Sequence, residues 1–136
     1  MARSFLDTNV LVYADDADAG TKRGKAQALV VSALATGAAV ISTQVLQEYF
    51  SVSTRKLSVP AEAAQKKVEI LAALVAVTID AEHVIESIKL HRIYNLSFWD
   101  ALIVHAARRA GCDRLMTEDL QAGQRIQGIE IVDPFA

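Results

Sequence analysis

The sequence predicts an α/β fold: a three-layer sandwich in which a central parallel sheet of four to five short strands carries helices on both faces. Three observations predict it. Short apolar segments rich in β-branched and bulky residues recur along the 136 residues. Longer stretches of helical period separate them. Strands that alternate with helices pair in parallel, because a parallel neighbour is reached only through a crossover. Hydrophobic residues make up 52% of the chain, enough to cover a sheet on both faces, and the sequence reads as one domain, 1–136.

The elements follow in order. "SFL" (Ser4–Leu6) is the first strand, with a helix expected to begin at Thr8. "YADDADAGTKRGK" (Tyr13–Lys25) is polar and rich in small residues, and reads as a mobile loop. Asp15, Asp16 and Asp18 invite a calcium-loop reading, but the spacing fails and no closing glutamate follows Gly20. "AAVIST" (Ala38–Thr43) is the second strand. Gln44–Arg55 has helical period, with Val45, Leu46, Tyr49, Phe50 and Val52 on one stripe. Pro60 opens the helix "AEAAQKKVEILAAL", where its missing N–H does no harm. "VAVTI" (Val75–Ile79) is the third strand, Ala81–Tyr94 a helix, and Ser97–Ala110 the last long helix, stopped by Gly111. "RLMT" (Arg114–Thr117) and "IEIV" (Ile129–Val132) complete the sheet, with a short helix expected in "LQAGQRI" between them.

Composition narrows the function. No apolar run approaches the ~18 residues of a membrane span, and the N-terminus lacks a secretory pattern. The single cysteine, Cys112, forms no internal disulfide; it reads as a buried small hydrophobe in a cytoplasmic protein. A net charge of −2 is not the footprint of a protein held to nucleic acid by bulk charge. Local basic groups exist at Lys22, Arg23 and Lys25, at Arg55 and Lys56, and at Arg108 and Arg109, each read foremost as solvated surface.

The acids carry the chemistry. Ligand sites of parallel sheets gather at the carboxyl ends of strands. Asp7 follows the first strand directly; Glu118 and Asp119 follow the fourth; Glu48 lies in the first turns after the second; Asp100 opens the helix leading to the fourth. At about 100° per residue, Asp100 sits roughly 135° from the face shared by His105, Arg108 and Arg109. It should therefore point inward, among Phe98, Trp99, Ile103 and Ala107. Glu48 borders its helix's apolar stripe. Each acid has a plainer reading. Ser97 and Asp100 form a capping box, Asp7 caps the helix at Thr8, Glu48 is partly exposed, and Asp119 caps "LQAGQRI". Caps alone do not explain why all four gather at one end of one sheet.

Clustered carboxylates repel, and their pKa values rise unless a cation joins them. Oxygen-only ligands favour Mg²⁺ or Mn²⁺. His83, His91 and His105 have no cysteine nearby and fall on helix surfaces by period, so zinc spacing is missing. Such a cation activates water for attack on phosphorus.

"FLDTNVLVYA", "ISTQVLQEYF", "LSFWDALIVHAARRAGCDRLMTEDLQAG" and "IVDPF" resemble, in order and over essentially the whole chain, the PIN-domain ribonucleases, and among them the VapC-type toxins of toxin–antitoxin pairs. The resemblance implies a metal-dependent endoribonuclease on a PIN-like sandwich. It carries the acidic quartet onto Asp7, Glu48, Asp100 and Asp119, as catalytic residues and ligands of Mg²⁺ or Mn²⁺. Thr8, Asn9 and Thr117 match polar supports, and Glu118 stays open between a water-mediated metal contact and solvent. The implied partners are RNA, a small antitoxin protein whose C-terminal segment covers the cleft with a basic residue, and a second copy in a homodimer, with no membrane. For the dimer face, the mixed stripe of Val68, Leu71 and Val75 is a candidate.

Three rivals are weighed. A phosphoaspartyl phosphatase needs an acid where Asn9 stands, and a receiver module needs a lysine after "RLMT". A PIN-fold RNA-processing nuclease would share the site without an antitoxin. A non-catalytic binding module would use the acids only as caps, without any response to metal.

Overall fold

The structure, a computed structural model, describes residues 3–136. The elements are β1 (Ser4–Leu6), α1 (Thr8–Ala14), α2 (Thr21–Thr36), β2 (Ala39–Ser42), α3 (Thr43–Arg55), α4 (Ala61–Leu71), a 3₁₀ turn (Ala72–Leu74), β3 (Val75–Val77), α5 (Ala81–Tyr94), α6 (Phe98–Arg109), β4 (Arg114–Met116), β5 (Arg125–Ile126) and β6 (Ile129–Val132). The strands form one six-stranded sheet in the order β3-β2-β1-β4-β6-β5, flanked by the helices. All neighbours are parallel except β5, which runs antiparallel to β6. This is the α/β sandwich expected, with one strand more.

The central strands are apolar because both faces are covered. Phe5, Leu6, Ile41 and Leu115 are fully buried, joined by Val10 and Leu11 of α1, Val45 and Tyr49 of α3, and Val104 and Ala107 of α6. Removing most of one such side chain costs about 2–5 kcal/mol. The α1 helix packs on α2 and α3, α3 on α4, and α5 on α6.

Four local expectations are corrected. Residues 13–25 are not one loop: Tyr13 and Ala14 close α1, and α2 begins at Thr21. The helix signal there is a small-residue face, Ala26, Val30 and Ala33, which is buried while the polar first turn faces water. "LQAGQRI" is not a helix; it ends in β5, which turns back into β6 through Gln127 (φ 50°) and Gly128 (φ 83°). Two successive positive φ values make the tight primed turn that hairpins prefer, and Gly128 supplies the second at no steric cost. His83 is not a surface residue: it is 1% exposed beneath α6. Leu71 is fully buried in the core, so it cannot belong to an exposed dimer stripe. By contrast, Gly111 follows the end of α6 with φ 73°, the left-handed stop its position predicts. Cys112 is buried, and burial pushes its thiol up to about 11, which makes it a poor nucleophile.

Strand order fixes where ligands approach. The chain moves from β1 to β2 on one side and reaches β4 on the other, so the order reverses at β1. The crevice beyond the carboxyl ends of β1 and β4 is the topological switch point.

Candidate active site

Register builds the site. Leu6 pairs with Met116, so the next residues, Asp7 and Thr117, emerge side by side from the two central strands. The Asp7 amide donates to Met116 O at 3.1 Å, extending the ladder to the crevice edge. The Asp7 side chain then accepts from Thr8 N at 2.7 Å as the N-cap of α1, and from Thr117 Oγ1 at 2.7 Å. Capping is thus part of what Asp7 does. It is not the role of Asp119, which heads no helix.

Thr117 has a second partner: its Oγ1 accepts from Asp119 N at 3.1 Å, curling the loop after β4. The Asp119 carboxylate accepts from Asn9 Nδ2, 3.2 Å from each oxygen. Thr8 donates through Oγ1 to Glu48 at 2.6 Å while its amide holds Asp7. The three polar residues of α1 and the β4 loop therefore tie Asp7, Glu48 and Asp119 into one network. Asp100 enters from the first turn of α6, whose N-cap Ser97 accepts from Asp100 N at 3.0 Å.

All four acids line one cleft of about 360 Å³, with Thr8 and Asn9 among the other lining residues. Glu118 does not line it. Its carboxylate turns the other way, accepting from Tyr13 OH and pairing with Lys22 Nζ at 2.8 Å. These partners hold the Glu118 carboxyl below its usual range. Alternate residues of the loop thus face opposite sides, and Asp119 faces the cleft.

The electrostatics are unfavourable as they stand. Burial raises the Asp7 pKa to about 7; the Thr117 hydrogen bond opposes this, and the Asp119 charge adds to it. Burial also raises Asp100, against the pull of Ser97 and with a further push from Asp119. The donors are oxygen only, and no histidine lines the cleft. This set fits a hard divalent cation. Among the described residues no three acidic, imidazole or thiol side chains close into a ready-made cage.

Sequence periodicity understated α3. Gln44, Glu48, Ser51, Val52 and Arg55 all line the cleft, at steps of three and four residues from Glu48. That spacing was available once Glu48 was placed. The apolar stripe of α3 splits instead: Val45 and Tyr49 enter the core, whereas Leu46 and Phe50 face an open groove against α4. Trp99 is not turned inward with Asp100; it is 62% exposed at the cleft edge.

No curated protein matches this chain. Solved structures do. The Mycobacterium tuberculosis toxin VapC20, described as sarcin-ricin loop cleaving, superposes with a TM-score of 0.68 at 21% identity, over 85% of this chain and 91% of that one. A toxin–antitoxin complex from Klebsiella pneumoniae gives 0.67 at 21% identity, over 97% and 98% of the two chains. DNA-bound VapBC from Salmonella typhimurium gives 0.68 at 22%, over 98% and 99%. At such identities the likeness establishes the fold. The PIN domain family itself matches residues 4–125, nearly the whole chain. With its central parallel sheet and its acids at the switch point, the chain belongs to the PIN domain family.

Proposed function

We propose that this protein is a metal-dependent endoribonuclease and the toxin of a VapBC-type toxin–antitoxin pair. The observation that carries this reading is the convergence of Asp7, Glu48, Asp100 and Asp119, from four separate segments, on one cleft at the switch point. Two of these acids, Asp7 and Asp100, are pushed towards protonation by burial and by the Asp119 charge, a cost that a bound cation removes.

Asp7, Asp100 and Asp119 would hold Mg²⁺ or Mn²⁺, and Glu48 would hold a second ion or act as the base. The ion supplies charge for the scissile phosphate and an acidified water. Glu48 takes the proton from the attacking water, and Thr8 orients the Glu48 carboxylate for it through its 2.6 Å hydrogen bond. Thr117 and Asn9 hold Asp7 and Asp119 in place. In-line attack would leave a 5′-phosphate and a 3′-hydroxyl.

The partners follow from the same reading. The structural neighbours include toxin–antitoxin complexes, some of them bound to DNA, which supports a small antitoxin as partner. A basic antitoxin residue would find in the acid cleft the carboxylates that an arginine fork matches. A homodimer is part of the proposal. Among the described residues no helix is long and apolar enough to cross a membrane.

Purified protein incubated with total RNA tests the reading, with Mg²⁺ or Mn²⁺, with chelator, and beside Asp7→Asn. Discrete fragments that need metal and vanish in the variant are expected. No cleavage in any metal, with no metal-induced rise in melting temperature, would return the acids to a binding or capping role.

A further inference from the structure

Trp99 is the one tryptophan of the chain, and its indole is 62% exposed although it lines the acid cleft. Large aromatic surface left in water next to charged groups is unspent binding energy. The residue is nevertheless well anchored. Its ring meets Phe98 edge-on, with centroids 5.2 Å apart and planes at 68°. Its carbonyl accepts from Gln44 Nε2 at 3.3 Å, which ties the start of α6 to the start of α3. Gln44 is itself 5% exposed, and its Oε1 is buried without a partner.

We propose that Trp99 is a stacking platform for a nucleobase next to the scissile phosphate, so that the cleft takes an unstacked, single-stranded nucleotide. This inference rests on the ribonuclease reading. Single-stranded RNA is held by aromatic faces combined with a cationic track. Arg55 lines the same cleft on the last turn of α3, about 10 Å along the helix from Glu48. It offers the positive charge that a strand needs as it leaves the acids. The surroundings favour a base over an apolar protein anchor: Asn9, Gln44, Ser51 and Arg55 outnumber Val52 and Ile103 in the lining. A base has an apolar face and polar edges, and suits such a rim.

The indole itself reports the test, because no other tryptophan emits. Asp7→Asn protein in Mg²⁺ is titrated with a short single-stranded RNA, and with an abasic strand of equal length. Saturable quenching by the first and much weaker quenching by the second are expected. In cleavage assays Trp99→Ala should raise KM roughly 5- to 150-fold, the range for one lost base stack, with kcat changed far less. Trp99→Phe should recover most of the loss, which guards against a folding defect. Equal quenching by both strands, or an unchanged KM in Trp99→Ala, overturns the platform. So does a fall confined to kcat, which would mean that the indole only positions Asp100. Quenching by a basic antitoxin-tail peptide and not by RNA assigns the face to protein and also overturns it. In each of these cases metal-dependent cleavage by the wild-type protein leaves the ribonuclease reading standing.

Discussion

The Thr117 hydroxyl donates to Asp7 Oδ2 at 2.7 Å across a separation of 110 residues, and Thr117 Oγ1 itself accepts from Asp119 N at 3.1 Å. One hydroxyl therefore sets the distance between two acids of the cleft. It also pulls the Asp7 pKa down against the effect of burial. Replacing Thr117 with valine keeps the shape and removes the donor. Cleavage should fall about 10- to 100-fold, the usual cost of losing a group that orients a metal ligand. The acid limb of the pH–rate profile should move to higher pH, because Asp7 then loses its proton later. Thr117→Ser should restore both. An unmoved acid limb in the valine variant would mean that Asp7 does not govern it.

Asp7→Asn separates function from stability. The folded pKa of Asp7 is raised to about 7 from an unfolded value of 3.8, so between these values the folded state holds a proton that the unfolded chain has lost. Its contribution is full below about pH 4 and is lost as pH rises through about 7. At roughly 1.4 kcal/mol per unit, the loss is on the order of a few kcal/mol. In chelator at pH 8, Asp7→Asn should melt above wild type, and the gap should close at acid pH. Mg²⁺ should raise the melting temperature of wild type at pH 8 and much less that of the variant. Thermal melts across pH, with and without metal, read both effects; a variant that melts lower at pH 8 without metal would contradict the buried-charge account.

Glu118 and Asp119 are neighbours with opposite expectations. Glu118 is occupied by Lys22 and Tyr13 outside the cleft, and the Lys22 ammonium lies 5.0 Å from the Tyr13 ring centre. The pair lies at the surface, with Lys22 more open to water than Glu118, and solvent screening keeps its contribution small. Glu118→Gln should keep cleavage within a few-fold of wild type, with a small loss of stability. Asp119→Asn should lower cleavage by at least about 100-fold at saturating Mg²⁺. Initial rates on one RNA substrate compare them directly, and equal losses would show that the loop, not the carboxylate, is what matters.

Much of this was legible before the structure. Asp7 could be placed because it directly follows an apolar strand, a local signal; the end of the fourth strand offered Glu118 and Asp119 alike, and only the family resemblance picked Asp119. Glu48 and Asp100 followed from helical period. What period could not give was the tertiary choice between faces. Helical period turns both Trp99 and Asp100 inward, yet both line the cleft and the indole stands in water at its edge. Tyr49 and Phe50 looked equivalent on α3, but α1 covers the first and only the α4 groove faces the second. The hairpin of β5 was missed because Gln127 adopts the φ of 50° that asparagine usually supplies. The partners of Glu118 were out of reach, since Lys22 lies 96 residues away in sequence.

His83 gives a titration of opposite sign to Asp7. It lies between α5 and α6, 1% exposed, with Nε2 3.0 Å from Leu102 O and Nδ1 2.9 Å from Arg109 Nη1. A guanidinium only donates, so Nδ1 must accept and Nε2 carries the hydrogen given to Leu102. Protonation would set a second N–H against Arg109. Burial foremost, and then the Arg109 charge, lower the His83 pKa, while the Leu102 carbonyl opposes them. The stability this provides is full above the unfolded value of about 6.5 and is lost as pH falls through the lowered folded value. In wild type the protonation of Asp7 works against this fall. In the Asp7→Asn variant that opposing contribution is gone, so acid destabilisation below pH 6.5 should be steeper. Histidine ring proton shifts followed by NMR should find His83 titrating below its ordinary value, with its neighbour His105, 4.6 Å away ring to ring, also shifted downwards. A His83 that titrates at or above 6.5 would mean that the Arg109 contact does not persist in solution.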